Sequence, residues 1–290
     1  MTTKSSLIAI SLLGVFFLFS GCDDDPPDGF RYPLAVGNTW EYTRKWDTFF
    51  YADSTDSTYS DTTSMLYSMQ VAVTDTASLG GISGLYRMAA TEHDSLDSYE
   101  GIIYYGQDDD GLYEHGYEGS ATLSMPKGLP AREGQGGIYF KGMYFNNMNE
   151  LFRLFQEALP GPYLFKVDFT QQIVEDPPLE VLRYPLEEGT TWMYRSAGNP
   201  WRIDKHVEGK EQITVPAGEF VCYKIKWLYD IDDNGEWDTD IFIEDYIGLE
   251  GLVQRQITLI GMIKTNEIGE QVGFMDSVGK YTLEAVSLEE

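Results

Sequence analysis

One twelve-residue segment occurs twice, and it constrains the fold more than any other feature of the chain. Arg31-Tyr-Pro-Leu-Ala-Val-Gly-Asn-Thr-Trp-Glu-Tyr42 is matched by Arg183-Tyr-Pro-Leu-Glu-Glu-Gly-Thr-Thr-Trp-Met-Tyr194, with eight identities in twelve positions at an offset of 152 residues. In each copy the proline fixes φ, the glycine permits a tight reversal, and the Trp and Tyr two positions apart fall on one face of a β-strand. The same Asp-Pro-Pro precedes both copies, at 25–27 and at 176–178. A duplication of this kind predicts two copies of one β-rich unit, each launched by a turn that feeds a strand.

The rest of the chain reads in the same way. Short apolar runs are separated by turn residues: Met65 to Thr74 alternates, Gly80-Gly81 turns the chain into Leu85 to Ala90, and Gly101 to Tyr105 and Leu112 to His115 flank Gln107-Asp-Asp-Asp-Gly111 as a hairpin. The second half offers counterparts in Asp240 to Tyr246 and Gly251 to Arg255, with Val215-Pro-Ala-Gly218 as a type I turn. Asn147 to Leu159 departs from this pattern. It has a capping Asn, Met148, Leu151, Phe152, Phe155 and Leu159 at helical spacing, and Pro160-Gly161-Pro162 as a stop. The expected fold is therefore mainly β: two related antiparallel β-sheet units, each a curved sheet or half-barrel, with one amphipathic helix in the intervening segment. The expected divisions are a leader at 1–21, an acidic Pro-containing tether at 22–29, a first unit at 30–119, a connecting segment at 120–182 with its helix at 147–159, and a second unit at 183–290. Glu175 to Pro178 reads as the linker into the second unit, and Ala52 to Ser64, almost all Ser, Thr and Asp, as an exposed loop or edge hairpin.

The first 22 residues set the expected location. Lys4 is followed by the uncharged apolar stretch Leu7 to Phe19 and then by Ser20-Gly21-Cys22. Thirteen helical residues rise about 20 Å, short of the roughly 30 Å hydrocarbon layer, so the stretch reads as a signal peptide and not as a span. Its end resembles the lipobox of bacterial lipoproteins. That resemblance implies cleavage before Cys22, lipidation of its sulfur and a membrane anchor at that residue. The acidic Asp23-Asp24-Asp25 that follows is similar to the surface-export signal of Bacteroidetes lipoproteins and also to the inner-membrane retention signal of enterobacterial ones. The expected address is the cell envelope, on the outer membrane, at its periplasmic or surface face. The paired motifs Tyr-Pro-Leu…Gly…Trp…Tyr and Val-Pro-Ala-Gly-Glu-Phe220 resemble a broad group of bacterial secreted and lipoprotein β-domains. This implies a LolA-like or lipocalin-like curved sheet and no particular activity.

The net charge is −27. So acidic a chain repels phosphate backbones, which excludes nucleic acid as a partner. Of its two cysteines, Cys22 belongs to the leader pattern and Cys222 sits in a strand pattern, so no disulfide framework is expected.

The sharpest local signal for chemistry is Asp230-Ile-Asp232-Asp-Asn234-Gly235-Glu236-Trp-Asp238. Oxygen-bearing side chains at alternate positions, with a glycine that lets the chain curl, make Asp230, Asp232, Asn234, Glu236 and Asp238 candidate calcium ligands. The twelfth position is Ile241 and the flanks read as strands, so the loop is not an EF-hand. The simpler alternative is a hairpin whose Asn-Gly makes the turn and whose acids solvate the tip. Asp108-Asp109-Asp110-Gly111 reads as a turn alone. His93, His115 and His206 are scattered singly, and no nucleophile elbow, phosphate loop or HExxH is present. These observations point to a non-catalytic envelope lipoprotein that acts as a binding or structural module. The alternatives are a carrier of an apolar ligand and a glycan-acting surface hydrolase. The expected partners are the membrane, through Cys22, and an envelope protein, glycan or apolar ligand.

Overall fold

The computed structural model describes residues 29–52, 61–93, 98–118, 136–148, 151, 172–196, 202–232 and 234–289. The leader, Cys22, the tether before Gly29, residues 53–60 and most of the expected 147–159 helix lie outside them. The described residues are almost entirely strand: β1 (Thr39–Tyr51), β2 (Asp61–Leu79), β3 (Ile82–His93), β4 (Ser98–Gln107), β5 (Gly111–Glu118), β6 (Ile138–Phe140), β7 (Met143–Phe145), β8 (Gln172–Arg183), β9 (Thr191–Arg195), β10 (Arg202–Val215), β11 (Gly218–Asp230), β12 (Ile241–Gly248), β13 (Gly251–Thr265) and β14 (Gln271–Ser287). Of the helix, Met148 and Leu151 are helical, and the Leu151 N–H donates to the Asn147 carbonyl at 3.4 Å. Leu151 is fully buried in the core.

The two repeats are two meanders of a single sheet. Its order is β8-β5-β4-β3-β2-β1-β14-β13-β12-β11-β10-β9, with the short β6–β7 hairpin added to β13. Neighbours along this path are antiparallel, and the path curls into a nearly closed, barrel-like form. The repeated residues occupy equivalent places: the Gly37 N–H donates to Val73 in β2, and the Gly189 N–H donates to Val207 in β10, both at 2.9 Å. Strands β1 and β9 therefore open the two meanders, and β8 and β14 close them. The halves join where β1 pairs with β14 along its whole length, from Thr39 opposite Ser287 to Tyr51 opposite Phe274.

Alternation decides which side chains line the interior. Trp40, Tyr42, Arg44, Trp46 and Thr48 of β1 are buried, while the residues between them are exposed or half-buried. The same period on β14 buries Gly273, Met275, Ser277, Gly279, Tyr281 and Leu283. One continuous apolar core covers the inner face of both halves. Its largest members, among them Trp40, Trp46, Trp227, Tyr105 and Phe145, occupy the space that curvature would otherwise leave open. Trp46 illustrates the fit. It stands opposite Gly279 in register, and a Cβ at Gly279 would lie 2.5 Å from its ring, so the indole lies flat on bare backbone.

The expected linker at 175–178 is instead part of β8. Glu114 pairs with Leu179 and Gly116 with Val174, so the stretch containing Pro177 and Pro178 bulges out of the ladder with β5. Proline has no N–H to give a ladder, and a bulge on an edge strand is a place where a sheet tolerates it.

Replacing Gly279 by alanine forces the Trp46 indole off the sheet. The expected cost is about 1–3 kcal/mol, as for other overpacked cores. It is read as a lowered urea midpoint at an unchanged slope, and a midpoint equal to that of the natural sequence would contradict the packing described.

Candidate functional site

The structure polarises the barrel. One end carries tight turns at Gly80-Gly81, Asp108 to Asp110, Pro216-Ala217 and Leu249-Glu250, together with the first repeat segment. The other carries the β6–β7 turn, the β11–β12 hairpin and the β13–β14 turn. At the first end the two repeat segments touch through their equivalent tyrosines. The Tyr32 N–H is shared between the Tyr184 hydroxyl at 3.0 Å and the Gln107 side-chain oxygen at 3.1 Å, and the Tyr184 hydroxyl donates to that same oxygen at 2.6 Å. Burial raises both phenols above their ordinary range.

The acidic hairpin lies at the opposite end, between β11 and β12. Asp230 is buried, and its carboxylate accepts the N–H groups of Asn234 at 2.9 Å and Gly235 at 2.8 Å. The Asn234 side-chain oxygen accepts the Glu236 N–H at 2.7 Å. One oxygen of Asp238 accepts the Ile231 N–H at 2.9 Å, and the other binds Lys141 Nζ at 2.6 Å. Asp232 and Glu236 are exposed. The five candidate ligands are thus on one hairpin, but Asp230, Asn234 and Asp238 are engaged in its internal hydrogen bonds. Among the described residues no group of three His, Cys, Asp or Glu is arranged to hold a metal.

The cation that this hairpin holds belongs to the chain. Lys141, at the tip of the β6–β7 turn with φ of 48°, places its ammonium between Asp238 at 2.6 Å and Asp240 at 2.7 Å. Burial alone would lower its pKa, but the two carboxylates outweigh burial and hold it above the ordinary lysine range. Lys141 lies in the connecting segment, roughly a hundred residues from its partners, so no local pattern announces the contact.

A second set of charges is buried inside the barrel. Arg255 makes two bonds to Asp245, at 2.5 and 2.7 Å, and the Trp227 indole donates to the same carboxylate at 2.8 Å. Lys205 lies 4.0 Å above the Trp227 ring and 4.3 Å from that of Tyr194, and Nζ donates to the Val181 carbonyl at 3.0 Å. In the other half, Arg44 pairs with Glu92 and stacks on Tyr67 at 4.2 Å. Glu92, Asp204 and Asp245 each face a guanidinium. Each of these charges has a partner within the chain, that of Asp204 being the exposed Arg202. His93, His115 and His206 stand on β3, β5 and β10.

Lys205 also takes part in the closure of the barrel. β8 and β9 share no backbone ladder among the described residues. Side chains span the seam instead: Lys205 to the Val181 carbonyl, the Trp192 indole to the Glu180 carbonyl at 2.9 Å, and Arg195 to Glu175 at 3.6 Å.

No family model matches this chain, and no curated protein is similar to it. Two solved structures show a distant likeness. One is a Bacteroides fragilis protein described as exported, with a YmcC-like fold. It is 14% identical over 89% of this chain and 99% of its own, with a TM-score of 0.32. The other, a Parabacteroides distasonis protein described as a lipoprotein, is 15% identical over 90% of this chain and 100% of its own, with a TM-score of 0.30. Likeness of this extent carries no argument about this chain. Among the described residues no helix is long and apolar enough to cross a membrane.

Two outcomes follow. Asp230→Ala leaves two backbone amides of the hairpin unpaired and lowers stability by about 1–3 kcal/mol, whereas chelator or added calcium leaves the melting temperature unchanged. A calcium-dependent rise in melting temperature would contradict the hairpin as described. Cys222 is fully buried, and burial, with the nearby Glu250 charge, pushes its thiol up to about 12. The native protein is therefore expected to resist alkylation at pH 8 and to react at Cys222 only on unfolding.

Proposed function

We propose that this chain is a non-catalytic lipoprotein of the bacterial envelope, anchored through Cys22, in which a filled, barrel-like sheet serves as a structural and binding module. The observation that carries this reading is the inner face. It is occupied by the protein's own Trp, Tyr and paired charges, so recognition falls to the outside of the sheet and to its ends. Three of the five carboxylates buried among the described residues support the same reading. A glycosidase needs two carboxyl groups flanking a bond in an open cleft, whereas Glu92, Asp204 and Asp245 are each matched to an arginine. The anchor rests on the leader pattern, in which the apolar stretch ends at Ser20-Gly21-Cys22.

One feature favours a second reading, a carrier of an apolar ligand. Among the described residues the β8–β9 seam is held by side chains and not by a ladder, and it is the line along which such a barrel would open. The first reading predicts that a fluorescent fatty acid finds no stoichiometric site in the purified protein. One-to-one binding would transfer the assignment to the carrier.

Anchoring has its own test. Cells expressing the full chain are expected to incorporate radioactive palmitate into it, and Cys22→Ala is expected to abolish the label and release the protein from the membrane fraction. A label that persists in the variant would overturn the anchor.

A further inference from the structure

The first part of β2 is a sheet edge without a ladder on one side. β1 pairs with β2 from Thr39 opposite Ala72 to Phe50 opposite Asp61, without a bulge, whereas β3 reaches only to His93 opposite Ser68. Among the described residues, Asp61 to Tyr67 are therefore laddered to β1 alone. The direction of their backbone groups follows from Val73. Its N–H donates to the Asn38 carbonyl and its carbonyl accepts the Gly37 N–H, both at 2.9 Å, so Val73 faces the β1 side. Facing alternates along an antiparallel strand, so Thr62, Ser64 and Leu66 turn their N–H and C=O groups to the other side. The Thr62 N–H fits this phase, since it donates to the Asp61 carboxylate at 2.8 Å. All three residues are exposed, Leu66 to 68%.

Open edges are commonly blunted by proline, a bulge or a charge. β8, at the seam, has Pro177 and Pro178 in a bulge. The stretch Thr62 to Leu66 has no proline, no charged side chain and no bulge against β1. We infer that this edge pairs with the same edge of a second copy of the chain, antiparallel about a two-fold axis through Ser64. In that register the edge is self-complementary. Ser64 meets its own equivalent and Thr62 meets the Leu66 of the copy, each pair bringing N–H groups to C=O groups as a hydrogen-bonded antiparallel pair requires. Asp61 falls opposite Tyr67, so no two acids are opposed. Beside the axis, Asp47 is already matched by Lys45 at 2.8 Å and by the Ser64 hydroxyl at 2.5 Å. An uncharged edge selects no charged partner; what it offers is this symmetry. One strand-to-strand contact is smaller than the roughly 800 Å² per partner of a standard interface, so the pair is reversible. A net charge of −27 on each copy acts against it at long range, and salt screens that repulsion.

Sedimentation equilibrium of the chain from Asp23 onward tests this independently of the anchor. A monomer–dimer equilibrium is expected, tightening from about 50 to about 300 mM salt. Leu66→Pro removes an N–H that β1 does not use and puts a ring on the open side. It is expected to melt as the parent does and to associate at least about tenfold more weakly. Met193→Ser, an exposed apolar change on β9, is expected to associate as the parent does. Cross-linking covers the case in which the proline variant does not fold. Ser64→Cys lies on the axis and Cys222 is buried, so a short bismaleimide is expected to join copies of Ser64→Cys at least about tenfold faster than copies of Ser78→Cys, an exposed position at the other end of β2. Equal association of Leu66→Pro, or equal cross-linking at the two positions, would overturn the proposal. Association that weakens as salt rises would overturn it in favour of contact between opposite charges. So would a monomer at every concentration and salt, and binding of an extended threonine–lysine peptide by that monomer, lost in Leu66→Pro, would assign the edge to a foreign strand.

Discussion

The ladder between β1 and β14 is the interaction on which the rest of the structure depends. The strand that opens the first repeat pairs over its whole length, with one bulge after Glu41, with the strand that closes the second. Neither meander alone could cover its inner face, because a curved sheet of six strands leaves its Trp and Tyr rows open on the concave side. Joined through β1 and β14, the halves bury one common core, and Trp46 of β1 lies flat on Gly279 of β14 at the junction. The duplicated segments then meet across the end of the barrel, where the Tyr32 backbone donates to the Tyr184 hydroxyl.

An internal repeat would lead one to expect an equivalent ladder where β8 meets β9, and here the two halves differ. β9 is five residues long where β1 has thirteen, and β8 carries Pro177 and Pro178 in a bulge. Fewer backbone donors and acceptors are therefore in register. Side chains take their place: an indole and an ammonium reach β8 carbonyls, and Arg195 reaches Glu175. Lys205 is buried there and is stabilised by the faces of Tyr194 and Trp227. The repeat fixed the architecture, and the departures from the repeat fixed where it is weakest.

Much of this was legible in the sequence, because turn chemistry and alternation are local. Val215-Pro-Ala-Gly218 joins β10 and β11, and Gln107 to Gly111 joins β4 and β5, as their residues imply. The merging of two units into one sheet was not legible, since the pairing of β1 with β14 spans most of the chain and leaves no local mark. Glu175 to Pro178 misled for a related reason. Prolines and acids that spell a linker in isolation are also what an edge strand with a bulge tolerates. At the acidic hairpin, the alternating oxygens offered candidate ligands for a hard cation and, as the simpler alternative, an Asn-Gly turn with a solvated tip. Three of the five instead bond to amides of their own turn, and the positive charge opposite Asp238 and Asp240 is Lys141, supplied by a segment distant in sequence.

The central claim is that one sheet is joined by backbone at β1–β14 and closed by side chains at β8–β9, and native-state hydrogen exchange tests it most directly. The account predicts that amides of β1 and β14 exchange only through global unfolding. Those of β9, and those of β8 that face it, should exchange at least about a hundredfold faster, by local opening of the seam. Protection at β8 and β9 equal to that at β1 and β14 would contradict it.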